Sequence, residues 1–382
     1  MARTFALATA VLLSATAAGP QFACNLNGVL LKNGSCACDA AWGGENCTTL
    51  RVLPTNASSG LIDTDARGVH LSTWGGSVLV DETGTWHMWA ARMTNNCGIG
   101  AWLSNSEVVH AFADSPTGSF AVDAVVWPIW AHEPTVVRAP TGEYVMYWTG
   151  NNGSGVLANP GGQVCASCVD GSTPPSCRTG RNWSVPLPTY MSWAAGPRGP
   201  WAPPALIPSV QPLIDTNLAG VILENGTFVG LWRDNSGKDP GPSALHRCTA
   251  AHWWDPAAYV EDGAFQLNEE DPTVWADARG GLHVLTHAGC MGRHGFSADG
   301  GVSWQYAQEG NGIAFGCGVE LENGTVVKTR RRERPHAVVD AAGRLVAVTS
   351  AVQPVDGGGA NGDRTFTVAV PVALEGRIMG GL

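Results

Sequence analysis

Beyond residue 70 the apolar positions form one phrase that occurs five times: a short apolar strand, a turn at a glycine, and a second apolar strand. It runs from Ser77-Val78-Leu79-Val80 across Gly84 to Trp86-His87-Met88-Trp89. It returns from Glu133-Pro134-Thr135-Val136-Val137 across Gly142 to Tyr144-Val145-Met146-Tyr147, and from Ala219-Gly220-Val221-Ile222-Leu223 across Gly226 to Phe228-Val229-Gly230-Leu231. The fourth copy joins Asp271-Pro272-Thr273-Val274-Trp275 across Gly280 to Leu282-His283-Val284-Leu285. The fifth joins Pro335-His336-Ala337-Val338-Val339 across Gly343 to Leu345-Val346-Ala347-Val348. An apolar or aromatic residue always stands two places after the glycine, and these are β-hairpin signals. The glycines are 58, 84, 54 and 63 residues apart, which leaves room for two further strands per unit. Units of about four strands repeated around an axis are propeller blades. The fold class expected is all-β: a five-bladed β-propeller over residues 70–382, with a small disulfide-rich module before it. A β-sandwich is the competing arrangement of the same strands.

Composition narrows the class further. With 49 Gly and 24 Pro, a helix bundle is excluded, because both residues break helix interiors. The formal charge of −10 argues against a nucleic-acid partner. Residues 1–18 carry Arg3, an apolar run through Leu13 and the small residues Ala15-Thr16-Ala17, the pattern of a cleaved signal peptide. A retained signal anchor is the alternative. After cleavage no membrane attachment is expected. Seven glycosylation sequons, at Asn33, Asn46, Asn56, Asn152, Asn182, Asn225 and Asn323, fit a secreted, extracellular protein.

Eleven cysteines in such a compartment should mostly pair. The run Cys36-Ala37-Cys38-Asp39 through Trp42-Gly43-Gly44 to Cys47, preceded by Cys24, resembles the C-terminal part of an epidermal-growth-factor-like module, here residues 19–50, with a linker at 51–69. Two of that module's six cysteines are missing, and they are each other's partners. The resemblance therefore implies Cys24–Cys36 and Cys38–Cys47. A zinc site is the alternative for these four. A Gly/Pro/Ser-rich insertion at about 149–188 holds Cys165, Cys168 and Cys177; its C-x-x-C reads as part of a stapled surface loop, with metal or redox chemistry as the rival. Seven cysteines lie outside the module, so one stays free or pairs elsewhere.

The segment Ser297-Ala298-Asp299-Gly300-Gly301-Val302-Ser303-Trp304 matches the Asp-box hairpin of sialidases and other propellers, a brace in which Asp binds turn amides and Trp packs. In a propeller the innermost strands begin at one axial mouth. That places His132-Glu133, Asn217 with Asp215 upstream, Glu270-Asp271 and Arg334-Pro335-His336 around it. With Glu133-Pro134, Asp271-Pro272 and Asn105-Ser106-Glu107-Val108-Val109-His110, residues 70–375 resemble the five-bladed glycoside hydrolases of family 43.

That resemblance implies an arabinan- or xylan-type substrate. It also implies an inverting mechanism, with a carboxylate base from blade one, an Asp from blade two and a Glu acid from blade three. The two working carboxyls should stand about 6.5–9.5 Å apart. This sequence departs from the pattern. Blade one has Trp74-Gly75-Gly76-Ser77 with no carboxylate, blade two has Glu133 rather than Asp, and blade three offers Asp215 and Asn217. The catalytic candidates are accordingly Glu133, Asp271, Asp215 and Glu270, and burial against Trp is expected to raise the pKa of Glu133 or Asp271 and make it the acid.

Trp74, His132, Asn217, His287, Arg334 and His336 are the candidate sugar contacts, with Trp74 alternatively a core residue. His110 and His283 sit in apolar strands and read as packing. No cofactor is required; Ca²⁺ on the axis, with His287 nearby, is the one metal considered. Three functions remain open: a secreted polysaccharide hydrolase, a non-catalytic extracellular carbohydrate-binding or adhesion protein, and a sialidase.

Overall fold

The computed structural model describes residues 20–150, 164–166, 168–169, 171–177, 187–210, 217–234, 244–307, 312–356 and 363–375. Five antiparallel sheets stand around one axis, and each opens with one copy of the repeated hairpin. Blade one is Thr73–Val80, Trp86–Met93, Ser106–Ala113 and Ala121–Trp127. Blade two is Ala131–Arg138, Tyr144–Gly150, Thr189–Ala194 and Ala205–Leu206. Blade three is Ala219–Ile222, Phe228–Asp234, Ala244–Ala250 and Tyr259–Asn268. Blade four is Glu270–Ala276, Leu282–Ala288, Met291–Ser297 and Gln305–Tyr306, with Ile313–Phe315 also paired to its third strand. Blade five is Thr329–Val339, Leu345–Pro354 and Phe366–Pro371.

The first strands touch one another in ring order, one to two through to five and back to one. Apolar side chains from facing sheets fill the five seams between them. Trp89, Tyr144 and Trp148 lie between blades one and two, and Tyr147, Phe228 and Tyr259 between two and three. Burying a side chain such as Phe228 fully contributes about 1.5–3 kcal/mol. Two seams also carry polar braces. His87 and His110 share a hydrogen bond of 2.9 Å, and each is held at its far nitrogen by an aspartate, Asp81 and Asp123. His283 pairs likewise with His294 at 3.1 Å. His110 and His283 are therefore packing residues. In the Asp-box, Asp299 accepts from the Ser303 amide at 2.9 Å while Trp304 is buried, so the motif is structural.

Ring closure comes from the segment expected as a linker. Gly60–Leu61 is the fourth strand of blade five, paired with Phe366–Pro371. Gly60 also exchanges main-chain hydrogen bonds with Gly118 and Phe120 of blade one, so two residues join the last blade to the first. An outer strand supplied from the opposite end of the chain keeps the last sheet from ending on an unpaired edge.

The N-terminal module is bound to the propeller. Cys24–Cys36 and Cys38–Cys47 are joined, the pairings its resemblance implies, which leaves no thiolates for zinc. Trp42, Cys47 and Leu50 share a core with Trp275, Leu345 and Val372 of blades four and five. This contact lies at the turn end of the first strands, away from their starts. Cys97–Cys168, Cys165–Cys177 and Cys290–Cys317 complete the bridges among the described residues, and Cys248 is buried and free. The C-x-x-C thiols thus staple a loop. No helix among the described residues is long and apolar enough to cross a membrane.

Gly60 has φ +106°, and a Cβ there would collide with the backbone of Thr367 and Val368. Gly60→Val is expected to destabilise the protein by about 3 kcal/mol through strain and overpacking. Chemical denaturation checks this, and an unchanged midpoint would make the closing strand dispensable.

Candidate active site

Nine residues before each turn glycine stand Gly75, Glu133, Asn217, Asp271 and Arg334. All five adopt left-handed φ, between 45° and 68°. In blades one, two, four and five a break in hairpin register falls at this point. A bulge of this kind re-aims the side chain, here toward the axis. For the four non-glycine residues the conformation costs on the order of 1–3 kcal/mol each, the strain expected at functional sites.

Arg334 is buried at the centre of this ring. Its Nη1 lies 3.2 Å from Glu133 Oε2 and 3.3 Å from Asp271 Oδ1, and its Nη2 donates to the Glu133 carbonyl at 2.6 Å. Glu133 also accepts from Trp74 Nε1 at 3.2 Å and from Asn217 Nδ2. The blade-one place in the ring belongs to Gly75. A Cβ there would meet the Arg334 side chain at Cδ and Nε, so the arginine stem fills the space a blade-one side chain would take.

A second layer surrounds Asp271. His287 Nδ1 is 3.0 Å from Asp271 Oδ2, and its Nε2 is 3.1 Å from Glu270 Oε1. Arg233 pairs with the other oxygen of Glu270. Burial works against the charge on His287, but the bonds and charges of Asp271 and Glu270 prevail and push its pKa up to about 10. Burial would likewise raise Asp271, yet His287, Arg334 and Arg233 hold it well below the usual carboxylate range. Of the two carboxyls expected to include a raised one, Glu133 and Asp271, Asp271 is thus shifted the other way. Opposite charges within hydrogen-bond distance outweigh desolvation.

In blades one, two, four and five the residue before the ring position faces the mouth. Trp74, His132, Glu270 and Glu333, with Glu133 and Asp271, line a cavity of about 220 Å³. Ile99 and Trp102 form part of its wall, from the loop between the second and third strands of blade one. Cys97–Cys168 ties that loop to the insertion, and the Trp102 ring lies 4.9 Å from that of His132. Arg233 and Arg331 complete the lining.

Glu333 has a different environment from Asp271. Burial raises its pKa to about 7; His287 and Arg331 oppose the rise, while Asp271 and Glu270 add to it. Its ion-pair contact with Arg331 is long, 3.8 Å.

Of the residues expected at the mouth, Trp74, His132, Glu133, Glu270 and Asp271 line the cavity. Asn217 and Arg334 hold Glu133 from the ring, and His287 supports Asp271 and Glu270. His336 does not line the cavity. It bonds Thr273 Oγ1 at 3.2 Å, and burial draws its pKa down to about 4. Asp215 lies outside the described residues. Glu333, Arg233, Arg331, Ile99 and Trp102 were not singled out from the sequence. For Glu333 a signal existed, since it precedes Gly343 by ten residues, as Trp74, His132 and Glu270 precede theirs.

Two outcomes follow from the charge network. Arg334→Leu removes the cation that two buried carboxylates share, and the expected loss is about 3–5 kcal/mol in chemical denaturation. The raised pKa of His287 adds stability that is complete below the ordinary imidazole value of 6.5 and lost as pH rises toward about 10. Stability should therefore fall between about pH 6.5 and pH 10, and His287→Gln should flatten that fall. An unchanged alkaline slope in the variant would show that His287 does not carry the charge.

No protein-family model and no curated protein matches the sequence. Solved structures match in fold. The catalytic domain of a GH62 α-L-arabinofuranosidase from Coprinopsis cinerea gives a TM-score of 0.55 at 15% identity, covering 85% of this chain and 98% of that one. A family 117 glycoside hydrolase of the marine bacterium Zobellia galactanivorans gives 0.51 at 12%, over 85% and 90%. The GH43_1 enzyme of Xanthomonas citri gives 0.51 at 11%, over 79% and 88%. At such identities the likeness establishes the fold: this chain is a five-bladed propeller of the kind found in several glycoside hydrolase families.

Proposed function

We propose that this protein is a secreted glycoside hydrolase that engages polysaccharide at its axial mouth. One observation carries the reading. The cavity sets a carboxyl poised near neutral pH, Glu333, beside one held firmly ionised, Asp271. Environments that push carboxyl pKa values apart mark Glu333 as the acid and Asp271 as a fixed charge. Glu333 gives its proton to the glycosidic oxygen as the C–O bond breaks. Water attacks the anomeric carbon, and Glu270 takes the proton that water loses. Asp271, Glu133 and Arg334 fix the charge of the site, while Trp102 and Trp74 offer apolar wall to the sugar face.

The neighbours include an arabinofuranosidase, which supports a plant-type polysaccharide such as arabinan or xylan. Five disulfides among the described residues support an oxidising compartment, with residues 1–18 as signal peptide and the N-terminal module as epidermal-growth-factor-like. The donor set does not fit an axial Ca²⁺, because Arg334 already places a cation between Glu133 and Asp271.

A second reading, carbohydrate binding without cleavage, draws on Gly75. The family resembled by the sequence uses a blade-one carboxylate as base, and here the Arg334 stem takes that space.

Arabinan, xylan and galactan oligosaccharides distinguish the two. Product release is expected from at least one, with activity declining above about pH 7 as Glu333 loses its proton. Glu333→Gln should lower turnover at least about 100-fold and abolish that decline. Full activity in the variant would remove Glu333 from the reaction. Binding by the wild type with no product from any substrate would establish the second reading.

A further inference from the structure

Arg332 stands two residues before Arg334 on the first strand of blade five, but it does not line the axial cavity. Only 2% of it is exposed. Its Nη1 donates to the carbonyls of Gly316 and Gly318, at 2.9 Å each, and the guanidinium carbon lies 4.2 Å from the centre of the Phe315 ring. Its Nε and Nη2 make no hydrogen bond. These two N–H groups share one edge of the planar guanidinium and point in parallel, the fork that binds a carboxylate or other small anion.

Other buried or half-buried arginines of this protein face acids. Arg92 meets Glu107 and Asp63, Arg334 meets Glu133 and Asp271, and Arg293 meets Glu269. Among the described residues no carboxylate pairs with Arg332. Strand alternation sends the adjacent Glu333 to the opposite face. Burying an unpaired guanidinium is unfavourable, and two carbonyls with one ring face offset only part of that. Burial lowers its pKa, but only to about 10, so the group remains cationic at neutral pH.

We propose that Arg332 binds a small inorganic monovalent anion, of halide or nitrate size, on its Nε–Nη2 edge in the seam between blades four and five. Each side of the seam contributes. Blade five supplies the cation, and Phe315, paired with Gly292 of blade four, covers one face of it. Cys290–Cys317 anchors the loop whose carbonyls occupy the opposite nitrogen. An anion on the free edge completes the coordination and joins the two blades. The site is separate from the axial cavity, so its occupancy stabilises the fold without requiring any reaction there.

The test compares the full chain in sodium chloride with the same chain in sodium gluconate at equal ionic strength. Wild-type melting temperature is expected to rise with chloride and level off, as for a saturable ligand of the native state. Bromide and nitrate should substitute. Arg332→Gln should melt at the same temperature in both salts. Crystals of the wild type in bromide should show an anomalous peak within hydrogen-bond distance of Nε and Nη2, which keeps the proposal testable if the variant does not fold. A bromide map with no peak at that edge overturns the proposal, as does a chloride response in Arg332→Gln equal to that of the wild type.

Discussion

The Arg334 guanidinium is buried on the propeller axis, and both Glu133 and Asp271 depend on it. Two buried carboxylates reaching for one nitrogen, from blades two and four, would otherwise force one of them to take up a proton. The arginine lets both oxygens accept. It also binds the main chain of blade two at the Glu133 carbonyl, so the same side chain that balances charge ties blade five across the axis. From this point outward the network is a sequence of satisfied ions: Asp271 holds His287, His287 holds Glu270, and Glu270 holds Arg233.

The same arginine accounts for the empty position in blade one. Its stem lies where a Cβ of residue 75 would be, so a blade-one carboxylate and this placement of Arg334 exclude each other sterically. An acid at position 75 would also need the cation that Glu133 and Asp271 already share. A side chain at position 75 and this placement of Arg334 are thus alternatives for one space. The further carboxyls of the mouth, Glu270 and Glu333, stand one step earlier in their strands.

Much of the fold was legible because its signals are local. Each inner hairpin is announced by a turn glycine and an apolar residue two places on, and five copies count the blades. Ring closure was not legible. Gly60 and Leu61 carry no alternation of their own, and their partners Val368 and Thr367 lie at the other end of the chain. At the site, the residue types were readable but their charge states were not. Glu133, Glu270 and Asp271 could be placed at strand starts, whereas the sign of the Asp271 shift depends on His287, from the following strand, and Arg334, from another blade. Glu333 was passed over for its neighbours Arg334 and His336. Trp102 comes from a loop between strands, outside the repeat that guided the reading.

The proton on Glu333 follows from a balance over the whole mouth. Arg334, His287 and Arg233 are three cations, and Glu133, Asp271 and Glu270 are the three carboxylates they meet. Glu333 is the fourth carboxyl, and the cation left for it is Arg331, half in solvent and 3.8 Å away. Desolvation therefore dominates, assisted by the charges of Asp271 and Glu270. Changing Glu333's own contacts is only one way to alter its proton affinity. Removing a cation such as Arg233, which leaves Glu270 less well paired, would raise the negative field on Glu333 and hold its proton to higher pH. The ring sets the acidity of the mouth, and the carboxyl with the raised pKa is the one whose cation, Arg331, stands 3.8 Å away.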